Sequence, residues 1–395
     1  MARVSNSQEK QPEVSLAPYD SEPSISQMLT ARIAAGDFPS AVYVAAERGR
    51  VRFADALGDA VRQPELRPAN LGTIYDLASL TKPLITGLLC AQSVERDALD
   101  IDKSVATYLN EFNRSDKRHI SVGDLITHTS GLPAWRPLYL IAKDPTHALN
   151  AIADEPLEYQ TGRRVVYSDL GFIVLGFLLE RLTGGLLADI AFKKIIAPLR
   201  LNHTFFNPSQ AVRTGVAACE TGNAYERDTC EKSLSAEVVT GYQRWRKDVV
   251  WGEVHDGNAY FLGGSAGHAG LFSTAEETAR LANQFIAPRS ELLSSETCAL
   301  FQQNMTSGLN EARSFAWQLA ATKDSTAGQS LPPNAFGHTG FTGTSCWVDA
   351  DRERVFVLLT NRTHARSLPF LNINSTRREF HDLAAAALDR IPADH

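Results

Sequence analysis

The strongest constraint on the fold is where the strand signals fall. Two apolar, β-branched runs, AVYVAAE (41–47) and VRFADALG (51–58), flank an Arg-Gly-Arg that reads as a tight hairpin turn. Comparable runs return only near the other end, GTSCWVDA (343–350) and RVFVLLTN (354–361), spaced as a second hairpin. From about 79 to 200 the pattern is mostly helical. ITGLLCAQSVERD (85–97) and DLGFIVLGFLLERLTG (169–184) both carry apolar residues at the 3.6-residue period. Further helices are expected near 24–36 and over 375–391, while 210–260 is irregular and polar. The economical arrangement is one antiparallel sheet built from both ends of the chain. The terminal helices would cover one face and the helical block the other. The expected class is thus an α/β (α+β) sandwich with an inserted all-helical subdomain. Its parts would be a flexible lead over 1–22, a sheet subdomain from 23–78 and 265–395, and a mainly helical subdomain over 79–264.

A chain of 395 residues with 44% apolar and 21% charged residues has material for a sizeable core. The net charge of −6 is spread without blocks of one sign, so neither a nucleic-acid footprint nor a polybasic membrane patch is expected. The five cysteines, at 90, 219, 230, 298 and 346, form no CxxC pair. They read as reduced thiols rather than a disulfide framework or a zinc site. The first residues, MARVSNSQEKQPEVSLAPYDSEPS, lack an apolar h-region, and no run of eighteen apolar residues occurs. The expectation is a cytoplasmic protein acting on a small molecule, with no cofactor and no metal. Composition is silent on oligomeric state.

The first chemical signal is Ser79-Leu80-Thr81-Lys82, an S-x-x-K. Residues three apart on a helix share a face, with Cβ atoms about 5–6 Å apart. A serine hydroxyl is a poor nucleophile until a base takes its proton, and a lysine beside it can serve if its environment adjusts its pKa. Asp76 is a candidate cap just upstream. Pro83 is tolerated only in or near a first turn, which pins a helix start close to the serine. A serine there sits beside free N–H groups and a positive dipole end, which suits a developing oxyanion. Alone, the pattern is common.

Two later motifs change its weight. Tyr167-Ser168-Asp169 follows, and then His338-Thr339-Gly340 just before the second hairpin. In this order the set resembles the serine β-lactamase and penicillin-binding DD-peptidase superfamily, which carries S-x-x-K, Y-x-N or S-x-N, and K-T-G. The branch it looks most like is the class C β-lactamase-related group of esterases and cell-wall amidases. ISVGDLITHTSGLP (120–133), VYSDLGF (166–172), VHDGNAYFLGGSAGHAGLFST (254–274) and FGHTGFTGTSCWVD (336–349) extend the resemblance over about 25–390. The resemblance implies a serine hydrolase acting on an ester or amide through an acyl-enzyme. Ser79 would be the nucleophile and Lys82 would keep it poised. Tyr167 would be the general base, its phenol depressed by the lysine charge, and would later protonate the leaving group. The backbone N–H groups of Ser79 and Phe341 would form the oxyanion hole. Asp169, His338, Thr339, Gly340 and Arg362 would contact substrate.

Two departures qualify this. Asp169 stands where the family has an amide, and could pair with Lys82 instead of donating to substrate. His338 stands where β-lactamases usually have lysine. A histidine at its reference pKa near 6.5 is mostly neutral at pH 7, so catalysis on carboxylate-bearing substrates is expected to fall as pH rises through the His338 pKa. Arg362, His364 or Arg366 could compensate. The departures disfavour a true β-lactamase or DD-carboxypeptidase, which stay open as alternatives beside a non-turnover binding or sensor module. A rival nucleophile exists as well. Gly263-Gly264-Ser265-Ala266-Gly267 matches the G-x-S-x-G elbow, and a triad of Ser265, Asp349 and His364 can be written, though a Gly-rich stretch follows where that elbow needs a helix. His255, Asp256 and His268 lack metal-site spacing and read as groups ordering a loop beside the site; His128 reads as a structural hydrogen-bonding residue.

Overall fold

Arg48 and Gly49 both take positive φ (52° and 74°), the geometry of a two-residue hairpin turn matched to strand twist. They join β1 (Ser40–Glu47) to β2 (Arg50–Val61) in a computed structural model that describes residues 19–392. Near the other end of the chain, β9 (Ser345–Asp349) and β10 (Arg354–Thr360) form the second expected hairpin. The two hairpins meet: β1 pairs antiparallel with β10, from Ala41 opposite Thr360 to Glu47 opposite Arg354. With β3 (Arg67–Pro68), β7 (Gln318–Leu319) and β8 (Phe336–Thr339), the sheet has seven strands in the order β3-β2-β1-β10-β9-β8-β7.

Successive side chains of a strand point to opposite faces, and both faces of this sheet are covered. Val42, Val44 and Ala46 of β1 join Val355, Val357 and Leu359 of β10 in the larger core, under the helical block. The alternate residues Ala41, Tyr43, Ala45, Phe356 and Leu358 face a second core. That core is closed by the terminal helices Pro23–Ala35 and Asn374–Asp389, through Ile25, Leu29, Phe380, Ala384 and Leu388. The expected lead over 1–22 falls outside the described residues up to 18. Beyond it the chain is docked: the Asp20 carbonyl accepts the Ala54 N–H, and the Glu22 side chain caps the first helix.

Two features were not expected. A three-stranded sheet, β4 (Tyr75–Asp76), β6 (Leu271–Ser273) and β5 (Phe205–Phe206), lies in the order β4-β6-β5. The stretch read as irregular contains helices Ala224–Ser233, Ala236–Gly241 and Gly257–Phe261. Residues 221–249 form an excursion whose ends pair, with Thr221 bridged to Val249 and the Gly222 N–H bonded to the Asp248 carbonyl. Among the described residues no single helix is long and apolar enough to cross a membrane.

Candidate active site

The turn that carries Ser79 begins where β4 ends. Asp76 is buried and accepts two backbone donors, the Ala78 N–H at 2.8 Å and the His255 N–H at 2.7 Å. Ala78 takes a left-handed φ of 47°, a strained conformation for a residue with a Cβ. It turns the chain into a short 3₁₀ segment, Ala78–Leu80, on which Ser79 sits. A π-helical stretch, Lys82–Gly87, follows with Pro83 in its first turn, then the helix Leu88–Glu95. The expected helix over 85–97 thus begins at the lysine itself. The turn is clamped from the β8–β9 side. Thr342 donates to the Asp76 carbonyl (2.7 Å) and Thr344 to the Leu77 carbonyl (3.0 Å). Gly340 is needed for this approach: a Cβ there would lie 2.1 Å from Thr344 Oγ1 and 2.5 Å from the Leu77 carbonyl.

Lys82 is fully buried beneath the serine. Its Nζ donates to Ser79 Oγ at 3.0 Å and to the His268 carbonyl at 3.1 Å, and lies 2.7 Å from Asp169 Oδ1. It also stands 4.8 Å from the centre of the Tyr167 ring. Burial opposes the ammonium, but the Asp169 charge, with the Tyr167 hydroxyl beside it, outweighs burial and holds the lysine pKa above its usual value. Asp169 is the first residue of the buried helix Asp169–Thr183, whose N-cap is Ser168. The helix start thus places a carboxylate beside the lysine.

Tyr167 is half-buried, its hydroxyl shielded from solvent, between neighbours of both signs. Burial raises its pKa and Asp169 adds to the rise; Lys82 works the other way without prevailing. The expectation that the lysine charge depresses this phenol is corrected here. Tyr167 packs on His128 (ring centres 4.7 Å apart) and His338 (5.6 Å). His128 accepts the Ser168 N–H at 3.0 Å, which fixes the start of the Asp169 helix.

His338 lies at the end of β8 with its Nδ1 2.8 Å from the Thr339 carbonyl, so Nδ1 carries the hydrogen. Burial, then Arg313 and Lys82, hold its pKa well below the usual value. The buried site thus favours the neutral imidazole, which moves the expected fall in activity through a His338 titration to lower pH than the free side chain would give. The positive charge comes from arginines. Arg362, expected as a substrate contact, and Arg377, which sequence reasoning missed, both line the cleft above Ser79. Arg377 donates to the carbonyls of Gly340 (2.9 Å) and Thr344 (3.0 Å), and Arg362 to that of Phe341 (2.7 Å). Among the described residues neither has a carboxylate partner. Arg313, also missed, is buried beside Tyr167, 5.7 Å from its ring centre and paired with Glu311. No local motif marks Arg313 or Arg377; they reach the site through β-sheet edge and terminal helix.

The cleft has a volume of about 620 Å³, within the usual range for small-molecule sites. It brings together Ser79, Tyr167, Asp169, His338, Thr339, Gly340, Phe341 and Arg362, with Lys82 below. His255 and Asp256 line its far wall with Glu226, whose pKa is raised by burial and by Asp256 to about 7. Asp256 binds His268 (2.8 Å), whose carbonyl holds Lys82.

The Ser265 alternative is not assembled. His364 is buried and committed elsewhere, with Nε2 accepting the Arg62 N–H (2.8 Å) and Nδ1 2.8 Å from the Cys219 carbonyl. Asp349 lies in β9 and accepts the Arg352 N–H. Gly264 and Gly267, on either side of Ser265, serve packing. A Cβ on Gly267 would lie 2.0 Å from the Phe172 carbonyl, so this loop lies directly on the Asp169 helix.

The family model described as Beta-lactamase matches residues 25–375. The chain is 32% identical over 369 residues to an N-acetylmuramyl-L-alanine amidase of Bacillus subtilis (strain 168), spanning 86% of this chain and 80% of that protein. It is 32% identical over 321 residues to a putative D-alanyl-D-alanine carboxypeptidase of Escherichia coli (strain K12), spanning 75% and 71%. Among solved structures, EstCE1, a hydrolase with promiscuous acyltransferase activity, superposes with a TM-score of 0.70 at 22% identity, over 91% of this chain and 97% of that one. A penicillin-binding protein homologue from Caulobacter crescentus gives 0.70 at 18%, over 93% and 99%. These two share the fold. With the family match across nearly the whole chain, the protein belongs to the β-lactamase family and is a serine hydrolase working through a covalent acyl-enzyme.

Proposed function

We propose that this serine hydrolase cleaves an amide in a muropeptide-type substrate, with Ser79 as nucleophile. The observation that carries the reading is Ser79 Oγ held 3.0 Å from the buried Lys82 Nζ, which is itself paired to Asp169. At rest the lysine is an ammonium, the aspartate a carboxylate and Tyr167 a neutral phenol. Loss of the Lys82 proton to solvent, which the Asp169 charge opposes, leaves a free amine facing Ser79. That amine takes the serine proton as Oγ attacks the acyl carbon. The backbone N–H groups of Ser79 and Phe341 hold the oxyanion. Collapse breaks the C–N bond, and the Tyr167 hydroxyl gives its proton to the departing amine. Lys82 then reprotonates Tyr167, and water releases the acyl group by the reverse sequence.

The substrate class is supported by the cleft. Arg362 and Arg377 are cations without a counter-charge, placed for a carboxylate. Thr339 and Gly340 offer the strand edge along which a peptide lies. Among the residues lining the cleft, none is Leu, Ile, Val or Met, which disfavours a lipid acyl chain. The relatives named for muramyl-amide and D-alanyl-D-alanine chemistry agree with such a substrate. A cytoplasmic site of action is supported by five free, buried thiols, and cell fractionation tests it.

The test uses p-nitrophenyl butyrate, nitrocefin and a muropeptide with wild type, Ser79→Ala and Ser265→Ala. Ser79→Ala is expected to lose about 10³-fold or more in kcat/KM, with Ser265→Ala near wild type. Muropeptide turnover without nitrocefin turnover is expected. Near-full activity of Ser79→Ala would overturn the assignment.

A further inference from the structure

Apart from two alanines, the hydrophobic residues lining the cleft are all aromatic: Trp135, Tyr167, Tyr225, Phe341 and Phe370. Three of these gather at one end. Tyr225 lies 4.6 Å from Phe341 and 5.9 Å from Phe370, near-parallel to the latter at 22°; Phe341 and Phe370 are 6.1 Å apart at 72°. They come from three separate stretches: the excursion helix Ala224–Ser233, the turn after β8, and the loop after β10. Such convergence is not explained by core packing. The fully buried rings Phe285, Phe301, Trp317 and Phe336 cover one another inside the larger core, whereas Tyr225 is 37% exposed and Phe341 and Phe370 are only half-buried. Rings left wet in a concave catalytic cleft are surface that a ligand completes.

The chemistry around the rings selects the ligand. The cleft wall that holds them also carries a hydroxyl (Thr229), an amide (Asn372) and a guanidinium (Arg362), and the His255 ring stacks on Phe341 at 5.5 Å. Arg362 lies 4.9 Å from the Phe341 ring centre, fixed by the carbonyls of Phe341 and Leu371. A fatty acyl chain is matched by adaptable aliphatic side chains, and none lines the cleft. A bare anion needs no rings. A pyranose has a C–H face that stacks on an aromatic face and a rim of hydroxyls that seek amides, hydroxyls and guanidinium N–H groups. We propose that Tyr225, Phe341 and Phe370 form a saccharide subsite for the N-acetylated amino-sugar ring of the substrate. The inference rests on the muropeptide reading of the same cleft and deepens it. It also gives the 221–249 excursion a purpose, since this segment carries Tyr225 and Thr229 to the subsite.

The test is equilibrium binding of N-acetylglucosamine to the Ser79→Ala enzyme, followed by saturation-transfer NMR and isothermal titration. The probe is uncharged, so the arginine pair alone cannot retain it. Saturable binding is expected, weakened about 10-fold by Tyr225→Ala and by Phe370→Ala. Tyr225→Phe keeps the ring and is expected to bind; Tyr225→Leu keeps apolar area without a ring face and is expected to fail. Tyr225 is solvent-exposed on a surface helix, so its variants fold, and a thermal melt checks this. No saturable binding to Ser79→Ala, binding indifferent to Tyr225→Ala and Phe370→Ala, or tighter binding of hexanoate than of the sugar would each overturn the subsite. The two readings fail separately. An enzyme that binds the sugar but never hydrolyses muropeptides loses the proposed function alone. One that hydrolyses them through Ser79 without binding the sugar loses the subsite alone.

Discussion

Lys82 sits between groups with opposite demands on its proton. Asp169 holds the proton on, while attack by Ser79 needs it off. The sign of the effect can be worked out. Asp169 raises the lysine pKa, so acylation is expected to climb toward alkaline pH as the lysine sheds its proton. Asp169→Asn removes the largest raising charge and leaves burial opposed only by Tyr167, so the acid limb of the kcat/KM profile should move to lower pH. The pre-steady-state burst with p-nitrophenyl acetate, measured from pH 5 to 9, checks this; an unmoved or alkaline-shifted limb would contradict it. Arg313 acts on the same centre from the other side. Its Nε and Nη1 are buried without hydrogen-bond partners, and its guanidinium faces the Tyr167 ring. Arg313→Gln removes a charge that disfavours imidazolium at His338. The His338 pKa should then rise toward its usual value, visible in the imidazole NMR titration, and Arg313→Lys should restore it. At this scale the sequence carried Ser79, Lys82, Tyr167 and Asp169, because each sits in a short motif. It did not carry Arg313 or Arg377, because their place depends on how distant elements pack. Nor could it show the charge state of His338, which burial decides.

Elements were legible in proportion to their length. The two hairpins, the Asp169–Thr183 helix and both terminal helices have enough residues to show a period. Strands of two or three residues, such as β4, β5 and β6, have none, and they hold the Ser79 turn in place. The helix Ala224–Ser233 has the sequence AYERDTCEKS, polar on most positions, because it leans on the cleft rather than on the core. The G-x-S-x-G match was legible and misleading for a physical reason. Gly263 answers to a left-handed φ of 87° in open space, and Gly267 to a close approach between backbones, since its Cα lies where a Cβ on Gly176 would be 3.1 Å away. Gly267→Ala is therefore expected to push this loop off the Asp169 helix, at about 1–3 kcal/mol by overpacking. Because His268 follows directly and its carbonyl holds Lys82, kcat should drop as well. Urea melts read alongside burst kinetics separate the two effects. A variant with wild-type stability and wild-type burst would show that the approach is not needed.

The same strands serve both cores of the molecule. In β1 and β10, successive residues point alternately into the catalytic-side core and the terminal-helix core. The sheet is also closed in the middle by its most distant parts, β1 from the N-terminal end against β10 from the C-terminal end. That pairing was readable from the two separated hairpin signals, since isolated hairpins cannot bury two faces. The consequence is thermodynamic: neither face can lose order while the other keeps it. Phe380 is fully buried in the terminal-helix core, 5.9 Å from the Tyr43 ring and far from the motifs around Ser79 in sequence. Phe380→Ala is expected to cost about 3–5 kcal/mol and to lower the urea midpoint. The melt should stay a single transition, with near-UV circular dichroism and fluorophosphonate labelling of Ser79 lost together. The terminal helix also carries Arg377 to the Gly340 and Thr344 carbonyls, so its detachment strips the cleft of a cation as it opens the core. If Ser79 labelling instead survives to higher urea than the circular dichroism signal, the two cores unfold separately and the shared sheet does not couple them.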